Sequence, residues 1–139
     1  PLEVTGWQHT GPTGVDMTFA GQMRYATGAL AQFTSSFESS HHMRLEVYGS
    51  EGKIEITRPF SGMETGTVDF ISPAGAAERL RIPEKHLYLG EIEDMESAVL
   101  DKKPQRLTLA ETSSHVRTVV ALLQSARENR PVTCGWGLV

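Results

Sequence analysis

The chain has 139 residues, of which 39% are hydrophobic and 22% are charged, and its formal net charge is −4. This composition is typical of one globular domain over residues 1–139, and it excludes a disordered chain. The acidic balance without a basic run excludes a general nucleic-acid binder, and no apolar run reaches the ~20 residues of a membrane-spanning helix.

The first part of the chain is patterned as antiparallel strands. Residues 2–8 predict a first strand, which the Gly- and Pro-containing stretch HTGPTG ends. Residues 15–25 and 28–38 alternate apolar with polar side chains and predict two longer strands. Two further short strands are predicted in TVDFIS and ERLRIP, after a loop over residues 58–66.

The stretch MRLEVYGSEGKIEI, residues 43–56, predicts a β-hairpin whose register can be argued. Directly opposed residues of an antiparallel pair share a face. Pairing Val47 with Ile54 and Leu45 with Ile56 keeps the apolar face together and requires a loop of two or four residues. A loop of three residues would spoil both faces of the hairpin.

The same register sets Glu46 opposite Glu55 on the polar face of the hairpin. Like charges directly opposite one another repel. Arg44 and Lys53 lie close enough in the pattern to offset that repulsion.

The last part of the chain changes to a helical period. Ile92, Met95 and Val99 predict an amphipathic helix over residues 89–100, with Pro104 after its end. Residues Thr108 and Glu111 have the T-x-x-E spacing of a capping box and predict the start of a second helix.

The second helix is expected to end at Asn129 and Pro131, and PVTC predicts a last short edge strand. Strands followed by helices predict an α+β fold, with an open, mainly antiparallel sheet and two helices packed on one face. The apolar stripe of the second helix consists of Val116, Val119, Val120 and Leu123. We expect this stripe to pack on the sheet near Leu45, Val47, Ile54 and Ile56.

Residues that could carry chemistry are scattered. His41 and His42 are adjacent on an extended segment, so they point to opposite faces and cannot easily chelate one metal ion. The single cysteine, Cys134, excludes an internal disulfide, fits a cytoplasmic origin and has no helix N-terminus beside it. No G-x-G-x-x-G turn follows a strand. The sequence therefore predicts neither catalytic residues nor a metal or cofactor site within this chain.

One pair of residues is better placed for binding. His86 and Tyr88 lie between the last predicted strand and the first helix, where side chains can emerge over a sheet edge. A phenol hydroxyl and an imidazole in such a place could bind a sugar or polyol. Packing of Tyr88 beneath the helix is an equal alternative.

Three segments in order resemble the C-terminal domain of the glucose–fructose oxidoreductase, inositol dehydrogenase and rhizopine-catabolism (Gfo/Idh/MocA) family. They are VDMTFAGQMRYATGALAQFTSSFE, the hairpin RLEVYGSEGKIEI, and YLGEIEDMESAVLDKKPQRLTLAETSSHVRTVVALLQSARENRPV. The resemblance covers residues 15–132 and implies an open antiparallel sheet with helices on one face. It implies a parent enzyme that uses NAD or NADP on sugars or polyols.

The family's cofactor is bound by an N-terminal Rossmann domain, which this chain lacks. The family's catalytic Asp and His should fall before Pro1, so neither His9 nor Asp16 inherits their role. Only Tyr88, through Y-x-x-E, matches a family position that can face substrate. The chain starts without an initiator Met, and we expect a fragment of a larger enzyme that is inactive alone.

Two other functions compete with this interpretation. The first is a stand-alone module that binds a small ligand on the sheet or in a cleft. The second is a small hydrolase or isomerase that uses Asp16 with a histidine.

The family resemblance also implies a partner, because the open sheet face commonly packs against a second subunit. We expect a homo-oligomer, in simplest form a dimer, with Arg44 and Tyr48 inside the contact. The small polar residues Gln32, Thr34 and Ser36 would lie on the same flat surface. A solvated face, common in antiparallel sheets, is the alternative.

Overall fold

The computed structural model describes residues 1–59, 67–81, 86 and 88–135. The chain divides into two compact units, the first formed by Pro1–Ser39 with Leu107–Val139 and the second by Ser40–Arg106. Each unit contains one helix and one antiparallel sheet of four strands, which confirms the α+β class. The predicted loop over residues 58–66 lies mostly outside the described residues, as does the end of the strand ERLRIP.

The sheet of the first unit, sheet 1, has the strand order β3-β2-β1-β8. Its strands are β1 (Glu3–Thr10), β2 (Asp16–Arg24), β3 (Leu30–Ser36) and β8 (Val132–Thr133). The short strand β8 pairs with the start of β1 at the sheet edge, as PVTC predicted. The helix of this unit is α2 (Leu109–Glu128).

The core of the first unit lies between sheet 1 and α2. Its buried apolar residues are Val4, Phe19, Leu122, Ala126 and Val132. Strand alternation places Val4 and Phe19 on the helix side, so the residues next to them along each strand face the other way.

Two glycines let the helix come close to the strands. A Cβ on Gly6 would lie 2.5 Å from the carbonyl oxygen of Leu122, and one on Gly21 would lie 3.1 Å from the Leu122 side chain. Ser125, the fully buried polar residue of α2, accepts a hydrogen bond from the Gly6 N–H at 3.0 Å and donates one to the Arg130 carbonyl at 2.6 Å. The contact is therefore built from small residues.

The predicted packing face of α2 is wrong in part. Val116, Val119 and Val120 are each more than half exposed, whereas Leu122, Ser125 and Ala126 are buried. Leu123 packs only at the margin of this core. The reason is that α2 lies close to the strands at their glycines. Its buried stripe therefore combines Leu122 with the small residues Ser125 and Ala126, and the valines lie outside it. The predicted neighbours on the hairpin belong to the other unit.

The start of α2 has the predicted capping box. The Thr108 hydroxyl accepts from the Glu111 N–H at 3.2 Å, and the Glu111 carboxylate accepts from the Thr108 N–H at 2.8 Å. This satisfies two backbone donors at the helix end. Asn129 ends the helix in the left-handed conformation at φ 50°.

The sheet of the second unit, sheet 2, is a meander in the order β4-β5-β6-β7. Its strands are β4 (Arg44–Gly49), β5 (Gly52–Thr57), β6 (Thr67–Ile71) and β7 (Ala77–Arg81). The hairpin register is confirmed: Val47 pairs with Ile54 and Leu45 with Ile56, across a loop of two residues. One face is apolar except for Glu78, which lies opposite Phe70, and its apolar members are Leu45, Val47, Ile54, Ile56, Val68, Phe70 and Leu80.

The helix of the second unit is α1 (Leu89–Leu100), with the bounds that the sequence predicts. Its apolar stripe of Ile92, Met95 and Val99 remains more than half exposed. The two carboxylate oxygens of Asp94, in the middle of α1, accept a hydrogen bond from the backbone N–H of Arg106 at 3.3 and 3.2 Å. This contact ties the connection after α1 back to the helix.

Candidate functional site

The two predicted substrate-binding residues lie at the N-terminus of α1. Tyr88 is the N-cap residue, and its side chain makes no capping hydrogen bond. Tyr88 is 57% exposed, and His86 is also exposed. The His86 carbonyl accepts from the Leu89 N–H at 3.0 Å, and the Tyr88 carbonyl accepts from the Ile92 N–H at 3.2 Å.

This arrangement fixes the backbone of the pair and leaves both side chains available. In the described part of the chain, no side-chain hydrogen bond occupies the Tyr88 hydroxyl or the His86 ring. A phenol can donate and accept, and a neutral imidazole can do both through its two nitrogens. The pair can therefore contact a hydroxylated ligand, and the exposure of Tyr88 disfavours its packing beneath the helix.

A second polar surface covers one side of sheet 2, and we call it the ionic face. Its rows follow from the strand register and comprise Tyr48, Lys53, Ile71 and Ala77, then Glu46, Glu55, Asp69 and Arg79, then Arg44, Thr57, Thr67 and Arg81. The middle row sets three carboxylates side by side. Its charges must therefore be compensated by neighbouring cations.

Arg44 contacts two of the three carboxylates. Its Nε lies 2.8 Å from Glu46, and its Nη2 lies 2.9 Å from Glu55, so one guanidinium bridges both carboxylates. Lys53 pairs with the other oxygen of Glu55. Arg44 and Lys53 therefore offset the repulsion between Glu46 and Glu55, as the sequence pattern predicts.

These contacts shift the ionisation of the ionic face. The hydrogen bond from Lys53, with a further one from Arg44, lowers the pKa of the Glu55 carboxyl. Tyr48 donates to Glu46 at 2.8 Å, and this hydrogen bond to a carboxylate raises the pKa of the Tyr48 hydroxyl. Tyr48 is therefore held by Glu46 in its own strand, and Arg44 is held by Glu46 and by Glu55 of the neighbouring strand β5.

The third carboxylate of the middle row has a partner of its own. Arg79 contacts Asp69 through two parallel hydrogen bonds of 2.6 and 2.7 Å. This bidentate contact lowers the pKa of the Asp69 carboxyl. Sequence reasoning missed the pair, because only the cross-strand register of β6 and β7 places these residues opposite each other.

A small cleft lies at the turn end of sheet 2. It has a volume of about 260 Å³ and lies between the Tyr48–Lys53 pair and the residues Ile71 and Pro73. Ligand pockets commonly measure about 300–1,000 Å³. The cleft is therefore smaller than that range and adds little to the interpretation of the chain as a stand-alone ligand-binding module.

Neither helix N-terminus in the described chain is suited to a dinucleotide pyrophosphate. Glu111 lies in the first turn of α2 and already forms the capping box with Thr108. Glu91 lies in the first turn of α1. A phosphate group would meet negative charge at both places. Within the described residues, no group of His, Cys, Asp and Glu has the arrangement of a metal site.

The sequence of the chain decides its family. A sequence model described as the oxidoreductase family, C-terminal alpha/beta domain, matches residues 4–134. The chain belongs to this family. This match confirms the resemblance of residues 15–132 to the C-terminal domain of Gfo/Idh/MocA oxidoreductases.

Solved structures share the fold of this Gfo/Idh/MocA domain. An aldose–aldose oxidoreductase from Caulobacter crescentus, complexed with glycerol, has a TM-score of 0.82 at 20% identity, over 96% of this chain and 41% of its own. An oxidoreductase from Thermotoga maritima has a TM-score of 0.74 at 19% identity, over 94% and 37%. A myo-inositol 2-dehydrogenase from Lactobacillus plantarum has a TM-score of 0.67 at 20% identity, over 96% and 42%.

The chain thus spans about two fifths of the length of these structures. At such identities the likeness establishes the fold and nothing about the ligand. Among the described residues, no helix has the length and apolar character to cross a membrane.

Proposed function

We propose that this chain is the substrate-side and oligomerisation domain of an NAD(P)-dependent oxidoreductase that acts on sugars or polyols. The observation that carries the proposal is Tyr88, which matches the family's Y-x-x-E motif and stands exposed at the start of α1 beside His86. Similar structures include an oxidoreductase of aldoses and an inositol dehydrogenase, which supports a hydroxylated substrate.

A bound NAD(P) would supply the redox chemistry, as the acceptor of a hydride from the substrate. The helix N-termini of this chain carry Glu91 and Glu111, so its described residues do not fit the pyrophosphate of NAD(P). The cofactor would be held by a Rossmann domain elsewhere in the parent enzyme. Under this proposal, Tyr88 and His86 position substrate hydroxyls and the isolated chain is inactive.

Self-association is the second part of the proposal. The ionic face offers Arg44 and Tyr48, residue types that are favoured in interfaces, on an open sheet surface. A second copy of the domain is the partner that the family resemblance implies.

The experiment is performed on the oxidoreductase that contains this chain. NAD(P)H formation is followed over a panel of aldoses, inositols and linear polyols. Tyr88→Phe should raise KM for the best substrate at least several-fold while leaving the Kd for NAD(P)H unchanged. Leu109→Ala, which alters an exposed side chain at the start of the other helix, is the matched control. Absence of turnover with every polyhydroxylated substrate would contradict the proposal.

A further inference from the structure

The side of sheet 1 opposite α2 carries an exposed tryptophan, and we call this side the outer face. Gly6 of β1 and Gly21 of β2 approach Leu122 of the helix. Because side chains alternate along a strand, the next residues, Trp7 and Ala20, point away from the helix. These two residues pair directly across the strands, so the outer face presents an indole beside a single methyl group.

Ala20 is the low point of this surface, and we call it and its four larger neighbours the Trp7 site. Across the sheet, Trp7 lies on one side of Ala20 and Thr34 on the other. Along β2, Thr18 and Gln22 lie two residues before and two residues after Ala20, on the same face. Trp7 is 50% exposed, and Gln22 and Thr34 are exposed too. The site is therefore a shallow seat with one aromatic wall and three polar walls.

The polar groups of this seat have hydrogen-bonding capacity to spare. Neither the indole N–H of Trp7 nor the amides of Gln22 and Gln32 make a hydrogen bond to another described residue. Gln22 and Gln32 lie opposite each other on β2 and β3. The Thr18 hydroxyl bonds the Ser36 hydroxyl at 2.7 Å, and each hydroxyl can make further bonds. Donors and acceptors thus surround the indole.

The charges near the Trp7 site argue for a neutral ligand. Among the described residues, Arg24 lies 3.4 Å from Glu3 at one end of the outer face, and His9 lies 4.0 Å from Glu38 at the other. An anionic ligand would meet a cation that is already paired. A wholly apolar ligand would cover the Gln22 amide without giving it a partner, which is costly. A neutral ligand rich in hydroxyls avoids both penalties.

A pyranose ring has the chemistry that this seat requires. When its hydroxyls are equatorial, its two faces present C–H groups, which carry slight positive charge, and the face of an indole is negative. The hydroxyls at its edge can each donate and accept a hydrogen bond. A ring stacked against Trp7 would rest on the Ala20 methyl group and direct its edge toward Gln22 and Thr34.

The seat stands on the packed core of the first unit. Phe19 and Gly21, on either side of Ala20 in β2, are buried. On β1, the N–H of Gly6 is held by the buried hydroxyl of Ser125. A rigid support of this kind reduces the cost of ordering the protein when a ligand binds.

We propose that the Trp7 site binds a carbohydrate, with a pyranose ring stacked on the indole above Ala20. The proposal involves neither Tyr88 nor His86, so it does not depend on the proposed redox function. The row of Gln22 and Gln32 extends the polar surface beyond the first ring, so a short oligosaccharide gains contacts that a single sugar lacks. Because the site is shallow, we expect a Kd on the order of 1 mM.

A nuclear magnetic resonance titration of the isotope-labelled chain tests the proposal. The probe is cellotetraose, whose β-linked glucose rings have equatorial hydroxyls, added to about 50 times the expected Kd of about 1 mM. It should shift the indole N–H signal of Trp7 and the side-chain amide signals of Gln22 and Gln32. Mannitol has hydroxyls but no flat ring, and at the same hydroxyl concentration it should leave these signals unchanged.

Two variants of the site and one control locate the binding. Trp7→Ala removes the stacking surface, and Ala20→Leu fills the seat while Trp7 stays in place. Each should raise the Kd for cellotetraose at least about tenfold, because each removes the central contact. Tyr48→Ala removes an exposed aromatic residue of the ionic face and should leave the Kd unchanged.

Four results would overturn the proposal. They are an absence of shifts at the highest cellotetraose concentration, equal shifts with mannitol, a Kd that neither variant of the site alters, and a Kd raised by Tyr48→Ala. If Trp7→Ala unfolds the chain, Ala20→Leu decides. All of these results leave the turnover assay of the proposed redox function unaffected.

Discussion

The Ser125 hydroxyl lies 3.0 Å from the backbone N–H of Gly6 and joins the C-terminal half of α2 to the first strand of sheet 1. These residues are 119 positions apart in the chain. The same hydroxyl donates to the Arg130 carbonyl, so one buried side chain fixes both the strand and the end of the helix. Its role is structural, because it joins α2 to sheet 1.

Ser125→Ala should destabilise the chain, because it leaves the Gly6 N–H and the Arg130 carbonyl without their partner. Each unsatisfied buried group costs about 1–3 kcal/mol. Urea unfolding followed by circular dichroism measures the change. Ser113→Ala, on the same helix and only partly buried, is the control and should alter the free energy of unfolding by less than about 0.5 kcal/mol.

Gly6→Ala should be destabilising for a steric reason. The added Cβ would lie 2.5 Å from the Leu122 carbonyl oxygen, which is backbone and cannot rotate away. Overpacking of this kind typically costs about 1–3 kcal/mol. Gly90→Ala, in α1 where an added Cβ meets nothing within 4 Å, should instead be neutral or stabilising by up to ~1 kcal/mol. Equal melting temperatures for the two variants would show that the close approach is not maintained in solution.

Leu122→Ala tests which face of α2 is buried. Leu122 is 4% exposed, and truncation of a buried leucine typically costs about 2–5 kcal/mol. Val119 is 55% exposed, so Val119→Ala should alter the free energy of unfolding by less than about 0.5 kcal/mol. A larger loss of unfolding free energy for Val119→Ala than for Leu122→Ala would show that the valine stripe predicted from the sequence is the buried face.

Features with a strict local rule were predictable from the sequence. Alternation and a short turn leave one register for the hairpin, so the pairing of Val47 with Ile54 could be derived. Thr108 and Glu111 sit at the spacing that backbone donors at a helix start require, which predicted the capping box. Both features depend on residues that are close in the chain.

The rest depends on contacts between distant segments. The buried face of α2 includes Ser125, which a pattern of apolar residues passes over, and its position is set by glycines in strands far away in sequence. The division of the strands between two sheets is set by which edges pair, and alternation within a strand says nothing about that. For the site, the sequence placed Tyr88 at the start of α1, whereas the pairing of Asp69 with Arg79 needed the register of β6 and β7.

The proposal also predicts that this chain alone does not bind the nicotinamide cofactor. Isothermal titration of NADH or NADPH into the purified chain should show no binding at micromolar concentrations. The physical reason is the pair of acidic helix N-termini, with Glu91 and Glu111 where a pyrophosphate would need backbone donors and positive charge. Micromolar binding that survives Glu111→Gln would contradict this account.

Acid should destabilise the ionic face. The folded-state pKa values of Glu55 and Asp69 are lowered by their contacts with Lys53 and Arg79, while the unfolded chain keeps ordinary values near 4. The unfolded state therefore binds more protons as the pH falls below about 5, so stability is present at neutral pH and is lost as the pH passes down through the folded-state values. Melting temperatures between pH 7 and pH 2.5 measure the loss.

Asp69→Asn should lower the melting temperature at pH 7 and flatten its fall in acid. Asp101→Asn, which alters an exposed carboxylate paired with Lys103, should leave the profile unchanged. An identical acid profile for Asp69→Asn and the unaltered chain would show that the Asp69–Arg79 pair does not stabilise the fold.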